Sequence, residues 1–212
     1  MIKFENTSIY GWESAMRGMR NPMNSWDKSD SIFAPDCSGY IPAIGENDLE
    51  LMKQLIKAGT DHSKFMRMIN VTVDITAPLY WWKEFDTYKV GTVRNSCSTM
   101  HKIHEKEFTL DDFSHEHLID SQESWLGMLE VTLIEALNYA RKLYLETKDK
   151  TYWWQLIQLL PSSYNQRATV QLNYAVLRNM YHSRKNHKLD EWREGFCTWV
   201  ESLPYSELIT EV

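Results

Sequence analysis

The sequence predicts an α+β fold, a small sheet packed with helices, one of them long. Three observations carry this. Strict alternation of apolar and polar residues is confined to one clear run, from Met66 to Ile75. Apolar residues at helical spacing fill most of the remaining chain. The 212 residues show no repeat, low-complexity tract or break in composition, so a single domain spanning 1–212 is expected. With 43 % hydrophobic residues the chain can bury a core without disulfide or metal staples.

Residues 1–12 read as a short extended start, and Gly11 to Arg20 as a short helix stopped near Asn21-Pro22. Residues 21–46 are rich in Asn, Ser, Asp, Pro and Gly and read as loop; a loop of this length usually covers or builds a site. Asn47 or Asp48 is expected to cap a helix running to about Ala58, with Leu49, Leu51, Met52, Leu55 and Ile56 at helical spacing and Gly59 as its stop. In the alternating run, Ile69, Val71, Val73 and Ile75 interleave with Met68, Asn70, Thr72 and Asp74, a strand ended by Ala77-Pro78. Pro at the first helical position then opens a helix over Leu79–Lys89, dense in Tyr80, Trp81, Trp82 and Phe85. Residues 90–119 are polar and irregular. The long helix is expected from about Ser121 to Thr147, with Trp125, Met128, Leu129, Val131, Leu133, Ile134, Leu137 and Tyr144 on a broad apolar face. Another runs from about Lys150 to Leu160 and ends at Pro161. Ser162–Arg167 reads as extended, Thr169–Lys185 as a helix, and Asp190–Ser202 as the last helix before Pro204.

Composition excludes several classes. A formal charge of −6 and a pI near 5.7 argue against general binding to a phosphate backbone, so no nucleic-acid polymer is expected as partner, while a local pocket for one nucleotide stays open. The three cysteines, Cys37, Cys97 and Cys197, are too few and too widely spaced for a disulfide framework or a zinc signature, and fit a reducing cytosol. Met1 to Asn6 shows no basic region leading into an apolar core, and no stretch approaches the roughly 18 apolar residues of a membrane span. A cytoplasmic protein without a membrane partner is expected. No GxGxxG, Walker A or GxSxG motif is present.

The remaining candidates each have two readings. His101 and His104, with His115 and His117, are solvated surface residues or members of a metal site, and without HExxH or paired cysteines no metal is expected. Cys97 lies in the polar run Asn95-Ser96-Cys97-Ser98-Thr99, with Arg94 and His101 near in sequence. It is either an inert thiol or a low-pKa nucleophile. Asn173, Asn179 and Arg184 do not share one stripe of the expected helix, so they are a solvated helix surface, or reach a common ligand only where several helices meet, as at a subunit interface. The cluster Tyr80, Trp81, Trp82 and Phe85 packs, for example at the core of an assembly, or stacks on a ring ligand.

The order of these segments resembles a known family. His62 to Met100 holds a polar His-containing turn, the alternating strand, Ala77-Pro78, the aromatic helix and a polar loop. Leu160-Pro161 to Arg193 holds an extended segment, Thr169-Val170-x-x-Asn173, then Asn179 and Arg184. These two blocks, about a third of the chain, resemble the flavin-dependent thymidylate synthases, the ThyX family, whose second block reads Leu-Pro…Thr-Val-Asn-Ala-Arg. The family signature Arg-His-Arg-x-x-Ser-x-Asn-Glu-x-Ser-x-Arg-Tyr corresponds here to Thr87 through Met100, with Lys89 for Arg and Thr92 for Ser as conservative exchanges. Asn95 stands for its Glu and Thr99 for its last Arg, while Ile157 replaces a further Arg before the Leu-Pro. Removing a charge-assisted hydrogen bond costs about 1.5–3 kcal/mol each time, and Arg67, Lys83 and Arg94 are the cations that could compensate.

The resemblance implies a small, mostly antiparallel sheet with helices, assembled as a homotetramer, with flavin and a pyrimidine nucleotide bound at subunit interfaces. It implies reductive methylation of dUMP or a related nucleotide, with FAD as cofactor, methylenetetrahydrofolate as carbon donor and NADPH as reductant. His62, Lys89, Asn173 and Asn179 fall on cofactor-binding positions and Arg184 on a nucleotide-binding one. Lys83, Arg94 and Ser96 join Arg184 as substrate-binding candidates. Cys97 falls at the signature serine, or Ser96 does if the register slips by one, and a thiolate there could add to C6 of a pyrimidine. Cys97 and Arg184 are thus the expected catalytic pair. Two other readings keep the fold without the flavin chemistry: a nucleotide-binding module, or a fold retained for oligomerisation alone.

Overall fold

The computed structural model describes residues 2–33, 42–119 and 125–211. Four strands, β1 (Lys3–Tyr10), β2 (Asn70–Pro78), β3 (Val93–Ser96) and β4 (Asn165–Asn173), form one antiparallel sheet in the order β1-β2-β4-β3. The helices are α1 (Trp12–Arg20), α2 (Glu46–Lys57), α3 (Leu79–Phe85), α4 (Trp125–Thr147), α5 (Lys150–Leu159), α6 (Tyr174–Arg184), α7 (Cys197–Glu201) and α8 (Glu207–Thr210). The α+β expectation and the long helix are both met; the expected start of that helix at Ser121 lies outside the described residues, as does Cys37. The chain divides into two compact units. The larger comprises Ile2–Ile75, Asp86–Asn95 and Thr169–Val212, the smaller Thr76–Phe85 and Ser96–Ala168.

In the larger unit, α1 buries Trp12, Ala15, Met16 and Met19, the i, i+3, i+4, i+7 pattern of one helix face. It starts from Gly11 at φ 92, where an added Cβ would stand 2.0 Å from the Met68 carbonyl oxygen. β1 is mostly exposed and carries a left-handed residue, Asn6 at φ 52. Its side chain donates to Asp74 Oδ2 at 2.9 Å, while Thr169 Oγ1 donates to Asp74 Oδ1 at 2.6 Å, so one carboxylate ties β1, β2 and β4 together. Val71, Val73 and Ile75 of β2 are buried in alternation, as expected, and the strand continues through Ala77, also buried, to Pro78. The strand starts later than expected because Phe65 and Met66 are adjacent and both buried, which suits the 3₁₀ turn Lys64–Arg67.

Three expectations in this unit are corrected. α2 starts at Glu46, and neither Asn47 nor Asp48 caps it. Asp30 does, accepting the Asn47 N–H at 3.0 Å and the Asp48 N–H at 3.1 Å, while the Asp48 side chain is committed to Arg20. Thr169–Asn173 is strand rather than helix: Ala168, Val170 and Leu172 are buried while Thr169 and Gln171 are exposed, a period of two, and the helix begins only at Tyr174. The last expected helix is a π turn, Glu191–Phe196, followed by α7, and α8 follows Pro204.

In the smaller unit, α4 packs on α5, and Leu137, Ala140 and Leu156 form a core with Ile103, Phe108 and Phe113. Asp149 caps α5, accepting the Thr151 N–H at 2.9 Å. The irregular stretch is pinned to this core: Asn138 bonds both the N–H and the carbonyl of Phe108 at 2.8 Å. The polar run expected to be irregular from residue 90 also holds β3, which the sequence did not predict. α3 begins after Pro78, which is the last residue of β2, and stops at Phe85 rather than Lys89. Trp81, Trp82 and Phe85 are buried, their centroids 5.0–5.3 Å apart, so these rings pack inside one chain rather than at the core of an assembly.

Candidate functional site

Most of the expected site residues lie on or beside α6. Asn173 closes β4 in an extended conformation and caps the helix, its side-chain oxygen accepting the Val176 N–H at 3.1 Å. The Tyr174 N–H donates to the Ile69 carbonyl at 3.1 Å, which fixes where the helix departs from the sheet. Asn179 is exposed in mid-helix, and Arg184 is the last helical residue.

The loop after α3 is held against the same helix at both ends. Near the cap, Gly91 has φ +77, and an added Cβ would stand 3.0 Å from Val176 Cγ2 and 3.2 Å from Asn173 Nδ2, so glycine permits the approach. At the far end, Arg184 Nε donates to the Tyr88 hydroxyl at 2.8 Å. The Arg184 guanidinium carbon lies 5.3 Å from the Tyr88 ring centroid and 4.7 Å from that of Trp192. Lys89, exposed and between these contacts in the chain, is thereby held beside α6. The loop is closed on itself. Arg94 donates to both Asp86 carboxylate oxygens, at 2.9 and 3.0 Å, and the Thr92 hydroxyl donates to the Tyr88 carbonyl.

His62 is exposed in the turn before Lys64–Arg67, and that 3₁₀ turn also packs against α6. Burial lowers the His182 pKa, with the charges of Arg178 and Lys185 adding to it, so this imidazole on α6 is neutral at pH 7. Positive charge at the end of the helix therefore rests with Arg184 and Lys185.

Lys83, Ser96 and Cys97 belong to the smaller unit. Lys83 is exposed on α3 and Ser96 is half-buried at the end of β3. Cys97 is exposed, while its backbone is fixed: its N–H donates to the Arg167 carbonyl at 2.8 Å and its carbonyl accepts from Gln166 Nε2 at 2.6 Å. Among the described residues no group of three or more His, Cys, Asp or Glu side chains could hold a metal ion.

Sequence reading missed Tyr88, Gly91 and Trp192. Tyr88 lies 96 positions from Arg184, and no local pattern links the two. Gly91 did carry a signal, an isolated glycine in a polar run, which often marks a backbone approach that a side chain would block.

No protein-family model matches the sequence, and no curated protein does. Solved structures do. Flavin-dependent thymidylate synthase ThyX from Helicobacter pylori, complexed with FAD and dUMP, aligns with a TM-score of 0.70 at 16 % identity, over 99 % of this chain and 98 % of that one. A second structure of H. pylori ThyX with FAD and dUMP aligns with a TM-score of 0.68 at 16 % identity, over 99 % and 97 % of the two chains. The fold is ThyX-like. The ThyX likeness runs the length of the chain, well beyond the two blocks that resemble the family in sequence. Among the described residues no helix is long and apolar enough to cross a membrane.

Proposed function

We propose that this chain binds FAD and a pyrimidine deoxynucleotide and carries a ThyX-type reaction, reductive methylation at C5 of dUMP or a related nucleotide. The observation that carries the reading is the end-to-end ThyX-like fold, whose H. pylori neighbours hold FAD and dUMP. The donor set around α6 fits such ligands by its chemistry. His62 and Lys89 supply polar and cationic donors for phosphate oxygens, Asn173 and Asn179 supply amides, and Arg184 offers a planar fork suited to phosphate or carbonyl oxygens. FAD, when bound, supplies the reducing equivalents, with NADPH as reductant and methylenetetrahydrofolate as carbon donor. Lys83, Arg94 and Ser96 are assigned to substrate. Cys97, exposed on a fixed backbone, is assigned as the nucleophile that adds to C6 of the pyrimidine.

The reading includes assembly as a homotetramer. Val131 and Tyr139 of α4 are exposed in the single chain and offer surface for a second copy to cover. A cytoplasmic setting suits the free thiols of Cys97 and Cys197.

One observation favours a second reading, a nucleotide-binding protein without flavin chemistry. Thr87 and Tyr88 stand where the resembled signature has Arg and His, and the Tyr88 hydroxyl is engaged by Arg184. Arg94, which could have compensated, is paired with Asp86. The test is the visible spectrum of the purified chain after incubation with FAD and desalting, with and without dUMP, followed by a methylation assay. A retained flavin band with methylation of dUMP is expected. A colourless protein that still binds dUMP establishes the second reading, and one that binds neither ligand overturns both.

A further inference from the structure

We propose that Tyr88 and Trp192 are positioning residues for Arg184, and that the loop Asp86–Asn95 sets the direction in which this guanidinium meets its ligand. The inference rests on the reading of Arg184 as a nucleotide-binding residue. A long side chain at the end of a helix has many rotamers to lose when it binds, and a side chain already fixed does not lose them at that moment. Arg184 is fixed in two ways. Its Nε–H is given to the Tyr88 hydroxyl at 2.8 Å, which sets the roll of the guanidinium within its own plane. Its guanidinium carbon also lies 4.7 Å from the Trp192 ring centroid and 5.3 Å from that of Tyr88, so two aromatic rings confine it.

Both clamping residues are themselves held. Trp192 is fully buried, with Phe196 edge-on at 5.2 Å. Tyr88 is held by the Thr92 hydroxyl on its carbonyl, by the Asp86–Arg94 pair closing the loop, and by Gly91 seated against Val176. The clamp also decides what Arg184 can recognise. An aimed guanidinium fork suits oxygen acceptors, such as phosphate or carbonyl oxygens. The Tyr at position 88 then has a use of its own, which is to aim the arginine rather than to touch a flavin.

The test compares the full chain with Tyr88→Phe, Arg184→Ala, the double variant and Thr92→Val, by dUMP titration calorimetry and by the Arg184 Nε–H resonance in NMR without nucleotide. In the wild type that resonance is expected to be ring-shifted and protected from exchange with water, and in Tyr88→Phe to lose its protection. Tyr88→Phe is expected to weaken dUMP binding about tenfold, the loss of one hydrogen bond to a charged group. It should add little in the Arg184→Ala background. Thr92→Val, which removes the hydroxyl that holds the Tyr88 carbonyl and leaves the Tyr88 and Arg184 side chains intact, should give a smaller loss in the same direction and tests the proposal should Tyr88→Phe fail to fold. If the wild type and Arg184→Ala bind dUMP alike, the nucleotide reading of Arg184 falls and takes this inference with it. If Arg184→Ala weakens binding while Tyr88→Phe and Thr92→Val do not, the positioning role alone is overturned.

Discussion

Arg20 and Asp48 form a buried ion pair. Arg20 Nε donates to Asp48 Oδ1 at 2.6 Å, and their side chains are only 5 % and 0 % exposed. The other carboxylate oxygen accepts the hydroxyls of Ser29 at 2.7 Å and Ser31 at 2.6 Å. Two charges can sit there only because their hydrogen-bonding capacity is met on several sides. Removing one partner strands the other, so Asp48→Ala is expected to cost about 3–5 kcal/mol in urea unfolding. The apolar double replacement Arg20→Met with Asp48→Leu should recover most of that loss.

The same carboxylate sets an acid limit. Burial raises the Asp48 pKa, but hydrogen bonds from Ser31, Ser29 and Arg20, with the Arg20 charge, outweigh it, and the net shift is below the ordinary value of 3.8. A group whose pKa is lower folded than unfolded stabilises the fold above its unfolded value, and that contribution fades as pH falls through the folded one. The melting-temperature gap between the wild type and Asp48→Asn should therefore be constant above about pH 5 and shrink below about pH 4. A gap that widens on acidification would contradict this.

Asn173 has two separable duties, capping α6 and, in the proposed function, holding cofactor. Ser accepts the Val176 N–H as Asn does, whereas Ala cannot, so Asn173→Ala should lose about 1 kcal/mol and Asn173→Ser much less. Flavin retention should fall in both, because neither keeps the carboxamide. Flavin binding that follows stability alone would leave Asn173 as a cap.

The two described thiols should differ sharply in reactivity. Burial, with the Glu201 charge adding to it, pushes the Cys197 thiol up to about 11, while Cys97 is exposed. Iodoacetamide at about pH 8, near the ordinary thiol pKa, should label Cys97 and spare Cys197 until the protein is unfolded, as read by peptide mass mapping of the native chain. Equal labelling would show that the α7 region opens readily.

The strand Ile69–Ile75 and the long fourth helix were legible because their periods are unmixed. β4 and α6 were not separable because Val170, Leu172, Val176 and Leu177 satisfy both periods across the junction. The break is made by Asn173, whose side chain caps, and by the Tyr174 N–H bonded to the Ile69 carbonyl, a partner about 100 positions away in the chain. β3 escaped notice because Val93–Ser96 is only four residues long and has no buried member to betray an alternation. Asp48 had the residue type and the place of a cap, but a distant arginine claimed it. Of the candidate site, Asn173, Asn179 and Arg184 were visible as residue types. The clamp on Arg184 was not, because it joins a loop tyrosine to a tryptophan far along the chain.

Among the described residues, the strand order leaves β1 and β3 with one open side each. An open side is a row of unpaired backbone donors and acceptors that a neighbouring molecule could extend into a fibril. β3 offers little because it is short. β1 is longer, with eight residues, yet Lys3, Glu5, Asn6 and Thr7 line it and the left-handed turn of the backbone at Asn6 interrupts its regular pleat. A copy in crowded solution thus meets a kinked, charged margin, and the sheet can end there without recruiting another strand.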